Sequence, residues 1–332
     1  MRRREFITLL SGATSAAVAW PLAARGQEPD RMRRVGVLEE TAEDDKDRNS
    51  QFAKFREGLA SFGWVEGRTV HIEYRFAAAD QGRYQQLARE LVAQQPEVIL
   101  TVSTPVTAAL QHETSAIPIV FLGVSDPIGS GFVANLARPG NNLTGIMLYE
   151  VGIAGKWLAM LKEIAPRVTR VALVAGPKTT AYNYFVRNAE AAGPSLGIEI
   201  VPTPVADAAD IEHGIEAFSR VPNGGLLLPS DGTTMVHRDL VIGLAARHNL
   251  PAVYPQRLFV TAGGLMSYGT ELGDAFQQAA SLVDRILRGT KPLDLPVQTP
   301  TRYQTALNLK TAKALGLRVP PGLLVAADEV IE

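Results

Sequence analysis

Four short polar groups directly follow apolar, β-branched runs: Glu39-Glu40-Thr41, Ser103-Thr104-Pro105, Ser125-Asp126-Pro127 and Ser230-Asp231-Gly232. An open parallel sheet presents its ligand crevice at the carboxyl ends of its strands, so these groups are expected to converge on one cleft. In Ser103-Thr104-Pro105, hydroxyls coincide with a helix start, where free N–H groups and the helix dipole favour an anion such as a carboxylate. The same triplet also reads as Thr104 capping a helix that Pro105 begins. Asp126 and Asp231 carry the same two readings, and a carboxylate at Asp231 suits a ligand ammonium. Thr179, Thr180 and Tyr182 place two hydroxyls and a ring after a further apolar run. Tyr149, Tyr254 and Tyr268 are further candidates to line the gap around a small organic ligand, or to pack in the core. Repetition of polar groups at several strand ends is what favours contact over cap.

Other patterns imitate catalytic motifs without their context. Gly129-Ser130-Gly131-Phe132-Val133-Ala134 matches a dinucleotide-binding GxGxxA, with Glu150 about 20 residues on where a ribose-binding acid belongs. Four residues separate it from the preceding strand, and Pro139-Gly140 soon interrupts any helix. His237-Arg238-Asp239 copies a kinase triplet by letters, but Leu244 stands where a metal-binding Asn is required, and the segment reads as an amphipathic helix. The remaining histidines, His71, His112, His213 and His248, show no HExxH-type spacing, and no GxSxG is present. No catalytic residue and no metal ligand is assigned.

The elements that position these residues come from a chain of 332 residues, 46% apolar and 20% charged, with no cysteine and a net charge of −1. That length suits about two domains. The charge gives no positive field for nucleic acid, and the absence of Cys excludes disulfides and thiolate-ligated metals. Arg2-Arg3-Arg4 and the uncharged run Phe6 to Ala24 read as an export signal over residues 1–26, cut before Gln27. Arg3-Arg4-Glu5-Phe6-Ile7 is similar to a twin-arginine leader, with Sec export the alternative. Thr8, Ser11, Gly12, Thr14, Ser15 and Pro21 dilute the run below what a membrane anchor needs. The mature chain then has 29 basic and 33 acidic residues and no direct membrane insertion.

Beyond the leader, short buried-strand runs alternate with helical spacings, the pattern of α/β parallel sheets covered on both faces. Strands are expected at 34–38, 70–74, 98–102, 119–124 and 143–148, and a restart with Arg170-Val171-Ala172-Leu173-Val174 begins a second lobe with strands at 198–201, 225–229 and 252–254. A single helix is expected over 236–249. The predicted division is 33–148 plus 263–298 for lobe 1 and 149–262 plus 299–332 for lobe 2: two doubly wound sheets joined by crossings that can bend as hinges.

Several of these segments together resemble the solute-binding subunits of ABC importers, in the tryptophan/tyrosine-type group. The carriers are Phe55-Arg56-Glu57-Gly58-Leu59 with Gly63-Trp64, Ser103-Thr104-Pro105, Ser125 to Gly131, Arg138 to Gly145, and Asn308 to Leu317 followed by Pro320-Pro321 and Ala327 to Ile331. The resemblance covers residues 33–332. It implies a type 1 periplasmic-binding-protein fold, no catalytic residue, no cofactor, a monomer in the periplasm, and a membrane permease as partner. Carried over by position, Ser103, Thr104, Pro105, Ser125 and Asp126 would contact the solute from lobe 1, and Thr179, Thr180, Asp231 and Thr233 from lobe 2. The family's amino-acid binders commonly have Thr-Asp-Asn where this chain has Ser230-Asp231-Gly232, which leaves the solute open. Glu40 beside Glu39 makes the first mouth acidic, as a cationic or amine-bearing solute would want; a solvated loop is the other reading. The alternative readings of the sequence are an exported cofactor-dependent oxidoreductase on the same framework and a ligand-sensing subunit for a membrane receptor.

Overall fold

The computed structural model describes residues 31–78, 80–270 and 272–332. The expected export signal lies outside the described residues. The first lobe is built from β1 (Arg33–Glu39), α1 (Lys46–Ser61), β2 (Val70–Phe76), α2 (Gln81–Ala93), β3 (Val98–Val102), α3 (Thr104–Glu113), β4 (Ile119–Val124) and β5 (Leu143–Met147). The second continues with α4 (Ile153–Ile164), β6 (Arg170–Ala175), α5 (Tyr182–Ala192), β7 (Glu199–Pro204), α6 (Ala208–Ser219), β8 (Gly224–Leu227), α7 (Gly232–Val236), α8 (Arg238–Arg247), β9 (Ala252–Tyr254), α9 (Arg257–Thr261) and β10 (Met266–Thr270). The chain closes with α10 (Leu272–Leu287), β11 (Tyr303–Asn308), α11 (Leu309–Ala314), α12 (Pro321–Ala326) and β12 (Glu329–Ile331).

Parallel neighbours require a crossover, and helices such as α1, α2 and α3 in the first lobe supply them while covering the sheet faces. The first sheet is wholly parallel in the order β2-β1-β3-β4-β5. The second runs β12-β11-β10-β9-β8-β6-β7 and is parallel except where β10 meets β11. Strands covered on both faces bury every residue: all five of β3 and all five of β5 are buried. In both sheets the strand order reverses beside the first strand of the lobe, between β1 and β3 and between β6 and β8. Those two reversals open a crevice at the strand ends.

One lobe boundary differs from the sequence expectation. Residues 263–298 do not all return to the first lobe: β10 pairs with β9, Met266 opposite Val253, and so belongs to the second sheet. The physical reason is a tight return after α9, in which the Gly264 N–H donates to the Phe259 carbonyl at 2.8 Å and the chain doubles back along the same sheet. The part that does pack on the first lobe is α10, set against α1, where a Cβ on Gly58 would stand 2.8 Å from the Ala280 methyl, together with Leu295 and Val297, which are buried in first-lobe cores. The indole of Trp64 clamps this contact by donating to Asp284 Oδ1 at 2.8 Å. The expected helix over 236–249 is also broken: His237, at φ −100° and ψ 28°, separates α7 from α8. Three passages link the lobes: after β5, between β10 and α10, and before β11, where Gln298 still hydrogen-bonds to Gly145 and Met147.

Candidate functional site

A cavity of about 410 Å³ lies between the two sets of strand ends. On the first-lobe side, β1 ends in Glu39, whose carboxylate is buried and accepts the N–H groups of Glu40 at 3.0 Å and Thr41 at 3.2 Å. Arg48 Nε stands 3.3 Å from Glu39 Oε2. It is placed there by Asp45, which caps α1 by accepting the Arg48 N–H at 2.8 Å. Burial pushes the Glu39 carboxyl up, against the pull of Arg48 and the two backbone donors.

Glu40 comes next and lines the cavity. Its Oε2 accepts the Ser103 hydroxyl at 2.7 Å. Burial pushes its carboxyl up to about 7, helped by Glu39 and Asp231 and opposed by Ser103 and Arg48. Ser103 is held at φ 90° and ψ 160°, a region that favours glycine, and its side chain makes no cap to α3. The anion site expected at Ser103-Thr104-Pro105 is therefore altered: the Ser103 hydroxyl is already committed to a carboxylate of the protein.

On the second-lobe side, Asp231 follows β8 and reconciles the two readings of its carboxylate. Oδ1 caps α7 by accepting the Thr234 N–H at 2.8 Å, and Oδ2 accepts the hydroxyl of Thr179. Thr233 Oγ1 lies 3.2 Å from Thr179 Oγ1. Burial raises the Asp231 carboxyl, against the hydrogen bonds from Thr179 and Thr234. Gly176, after β6, lets these side chains meet: a Cβ there would collide with Thr179 and stand 2.8 Å from Thr233 Oγ1.

Of the sequence-predicted residues, Glu40, Ser103, Thr104, Ser125, Thr179, Thr180, Asp231 and Thr233 line this cavity. Pro105, Asp126, Tyr149, Tyr182, Tyr254 and Tyr268 do not. Pro105 is locked in the first turn of α3. Asp126 Oδ1 accepts the Gly129 N–H at 2.8 Å and closes a local turn. Tyr149 is buried edge-on to Trp157 with ring centroids 5.0 Å apart, and Tyr182 is buried in the same core. Tyr254 stacks on Phe259 at 5.0 Å inside the sheet covering. Tyr268 stacks on Tyr303 at 5.0 Å, with the Lys156 ammonium 4.6 Å from its ring centre. Aromatic area is worth more in the core than at a wet cleft, and that preference takes all four rings.

The site also holds residues that sequence reasoning missed. Asp45, Asp47, Arg48 and Gln51 come from the start of α1, Gln81 and Tyr84 from α2, Met235, Val236 and His237 around the α7–α8 break, and Gln256 and Leu258 from α9. The signal for the first group was present: a dense polar run, Glu43 to Arg48, directly after the first strand-end motif. The GxGxxA lookalike forms consecutive turns with no helix after them, so it offers no N-terminus for a pyrophosphate. Among the described residues, no group of three or more His, Asp or Glu is arranged to hold a metal ion, and no helix is long and apolar enough to cross a membrane.

A family model described as ABC transporter substrate binding protein matches residues 37–331. The tyrosine-binding protein of Clostridioides difficile is 23% identical over 264 residues, 80% of this chain and 76% of that one. An ABC domain from Streptococcus pneumonia, solved in complex with L-Trp, superposes with a TM-score of 0.83 at 22% identity, covering 91% of this chain and 100% of that one. A ligand-free, open substrate binding protein from Clostridium difficile superposes with a TM-score of 0.68 at 21% identity over 90% of this chain and 99% of that one.

Proposed function

Because the chain belongs to the ABC transporter substrate binding protein family, a family of solute binders rather than enzymes, we propose that it captures a small amine-bearing solute of the amino-acid class between its lobes and delivers it to the permease of an importer. The observation that carries this reading is the pair of carboxylates at the two strand-order reversals, Glu40 from one lobe and Asp231 from the other, facing one cavity of about 410 Å³. That volume lies in the range of small-molecule sites, roughly 300 to 1,000 Å³. The tyrosine-binding relative supports the amino-acid class.

Binding works by differential contact. A solute that touches both lobes favours the closed arrangement over the open one by the contacts it makes only there. The passages after β5 and before β11 are short, and each is a place where a few backbone torsions can absorb the motion. Residues 1–26 act as the export signal, and the mature monomer works in the periplasm.

The test is a thermal-shift screen of the mature chain against amino acids, aromatic acids, amides and sugars. A ligand that binds only the folded state at 100 times its Kd raises stability by about 2.7 kcal/mol. A rise in Tm with amino acids and none with sugars is expected. A flat response across every class would refute the reading.

A further inference from the structure

The charge of the cavity wall goes further than the amino-acid class. Four carboxylates line it, those of Glu40, Asp45, Asp47 and Asp231, and the one lysine or arginine among the described lining residues is Arg48. That guanidinium is engaged: it faces the buried Glu39 carboxylate at 3.3 Å, donates to Gln51 Oε1 at 2.8 Å and lies 5.5 Å from the centre of the Phe276 ring. At the first-lobe strand ends the Ser103 hydroxyl is taken by Glu40, so the Glu40 carboxylate itself faces the cavity, beside the Thr104 and Ser125 side chains. A solute carboxylate placed there would meet a like charge.

The apolar side of the cavity points the same way. Tyr84 is the single Phe, Tyr or Trp among its described lining residues, the His237 imidazole being the other ring, beside Leu148, Met235, Val236 and Leu258. An aromatic side chain would find little to stack on. Carboxylates brought together from two lobes repel unless a proton or a cation lies between them. The Thr41 hydroxyl, shielded from solvent with no hydrogen-bond partner, adds one more oxygen on the Glu40 side.

Resting on the solute-capture reading above, we propose that Glu40 is a specificity-determining residue that joins Asp231 in seating a cationic nitrogen, so that the cleft selects a solute of net positive charge over the neutral aromatic amino acids. An ammonium or guanidinium between the two carboxylates links the lobes by charge-assisted hydrogen bonds, which are roughly twice as strong as neutral ones.

Calorimetric titration of the mature chain with L-lysine, L-arginine, L-tryptophan and L-tyrosine tests this, together with the variants Glu40→Gln and Asp47→Asn. L-lysine or L-arginine is expected to bind at least tenfold more tightly than either aromatic amino acid, and Glu40→Gln to shrink that ratio at least tenfold. Asp47→Asn, at the exposed rim, should shrink it by a smaller factor. The ratio is insensitive to any inactive fraction of a variant. Tighter binding of L-tryptophan or L-tyrosine than of both basic amino acids overturns the proposal and leaves the capture reading standing, as does an unchanged ratio in Glu40→Gln. Failure of every amino acid to bind overturns both.

Discussion

Replacing Glu40 by Gln should change how the stability of the ligand-free protein depends on pH. The folded protein holds the Glu40 carboxyl at about 7 against an ordinary value of 4.5, chiefly because burial disfavours the charged form. Between those values the folded chain binds more protons than the unfolded chain, so stability is full below about pH 4.5 and is lost as pH rises through 7. The difference is equivalent to about 3 kcal/mol if the whole of it is realised. Glu40 retains partial contact with the cavity solvent, which brings the expected loss to about 2 kcal/mol. Glu39 and Asp231 are raised as well, and Arg48 and Ser103 pull the other way. All four remain in Glu40→Gln, so subtracting the two stability curves isolates the Glu40 contribution and its coupling to them. Urea unfolding of both proteins at half-unit intervals from pH 4.5 to 8, followed by tryptophan fluorescence, measures it. The wild type should gain on the variant by about 2 kcal/mol as pH falls across that range. A difference constant to within about 0.5 kcal/mol, well under that gain, would refute the placement of the Glu40 carboxyl in a desolvating site just after β1.

Asp231→Asn keeps an oxygen to cap α7 while removing the charge; affinity for an amine-bearing solute should fall at least tenfold in calorimetry, with unfolding stability changed by less than about 1 kcal/mol. Ser103→Gly relieves a backbone held at φ 90°, worth about 1–3 kcal/mol, and removes the hydroxyl that stabilises ionised Glu40. Unfolding curves should therefore show the variant more stable than wild type at pH 5, with that advantage shrinking or reversing at pH 8, where the lost bond is to a full charge; an advantage that grows with pH contradicts the assignment.

The architecture was legible because its signals are local. Buried strands such as Val98–Val102 read as apolar runs, and the second run at Arg170 repeats the first at Arg34. The side of the cleft on which a segment lies is not local. The β10 strand looks like any other apolar run, and its sheet is decided by pairing with β9 and by the return at Gly264. The break at His237 was hidden for a related reason: the apolar spacing continues across it, while the Asp231 cap forces a short separate turn first.

In the site, position was legible and commitment was not. The strand-end rule brought eight of the predicted residues to one cavity, because sheet topology alone dictates where strand ends meet. It failed for the tyrosines, since a ring near a strand end is drawn to whichever surface buries more of it, and Tyr149 and Tyr254 found Trp157 and Phe259. It also could not tell that Ser103 donates inward to Glu40, a partner 63 residues away, rather than outward to a ligand. That one hydrogen bond removes a donor expected of the first-lobe mouth: the Ser103 hydroxyl that the sequence offers to an anion is already held by a carboxylate of the protein, while Thr104 and Ser125 still line the cavity. A donor committed to a fixed carboxylate leaves that carboxylate lining the cavity, so the proposed selectivity rests on Glu40 and Asp231 rather than on the Ser103 hydroxyl.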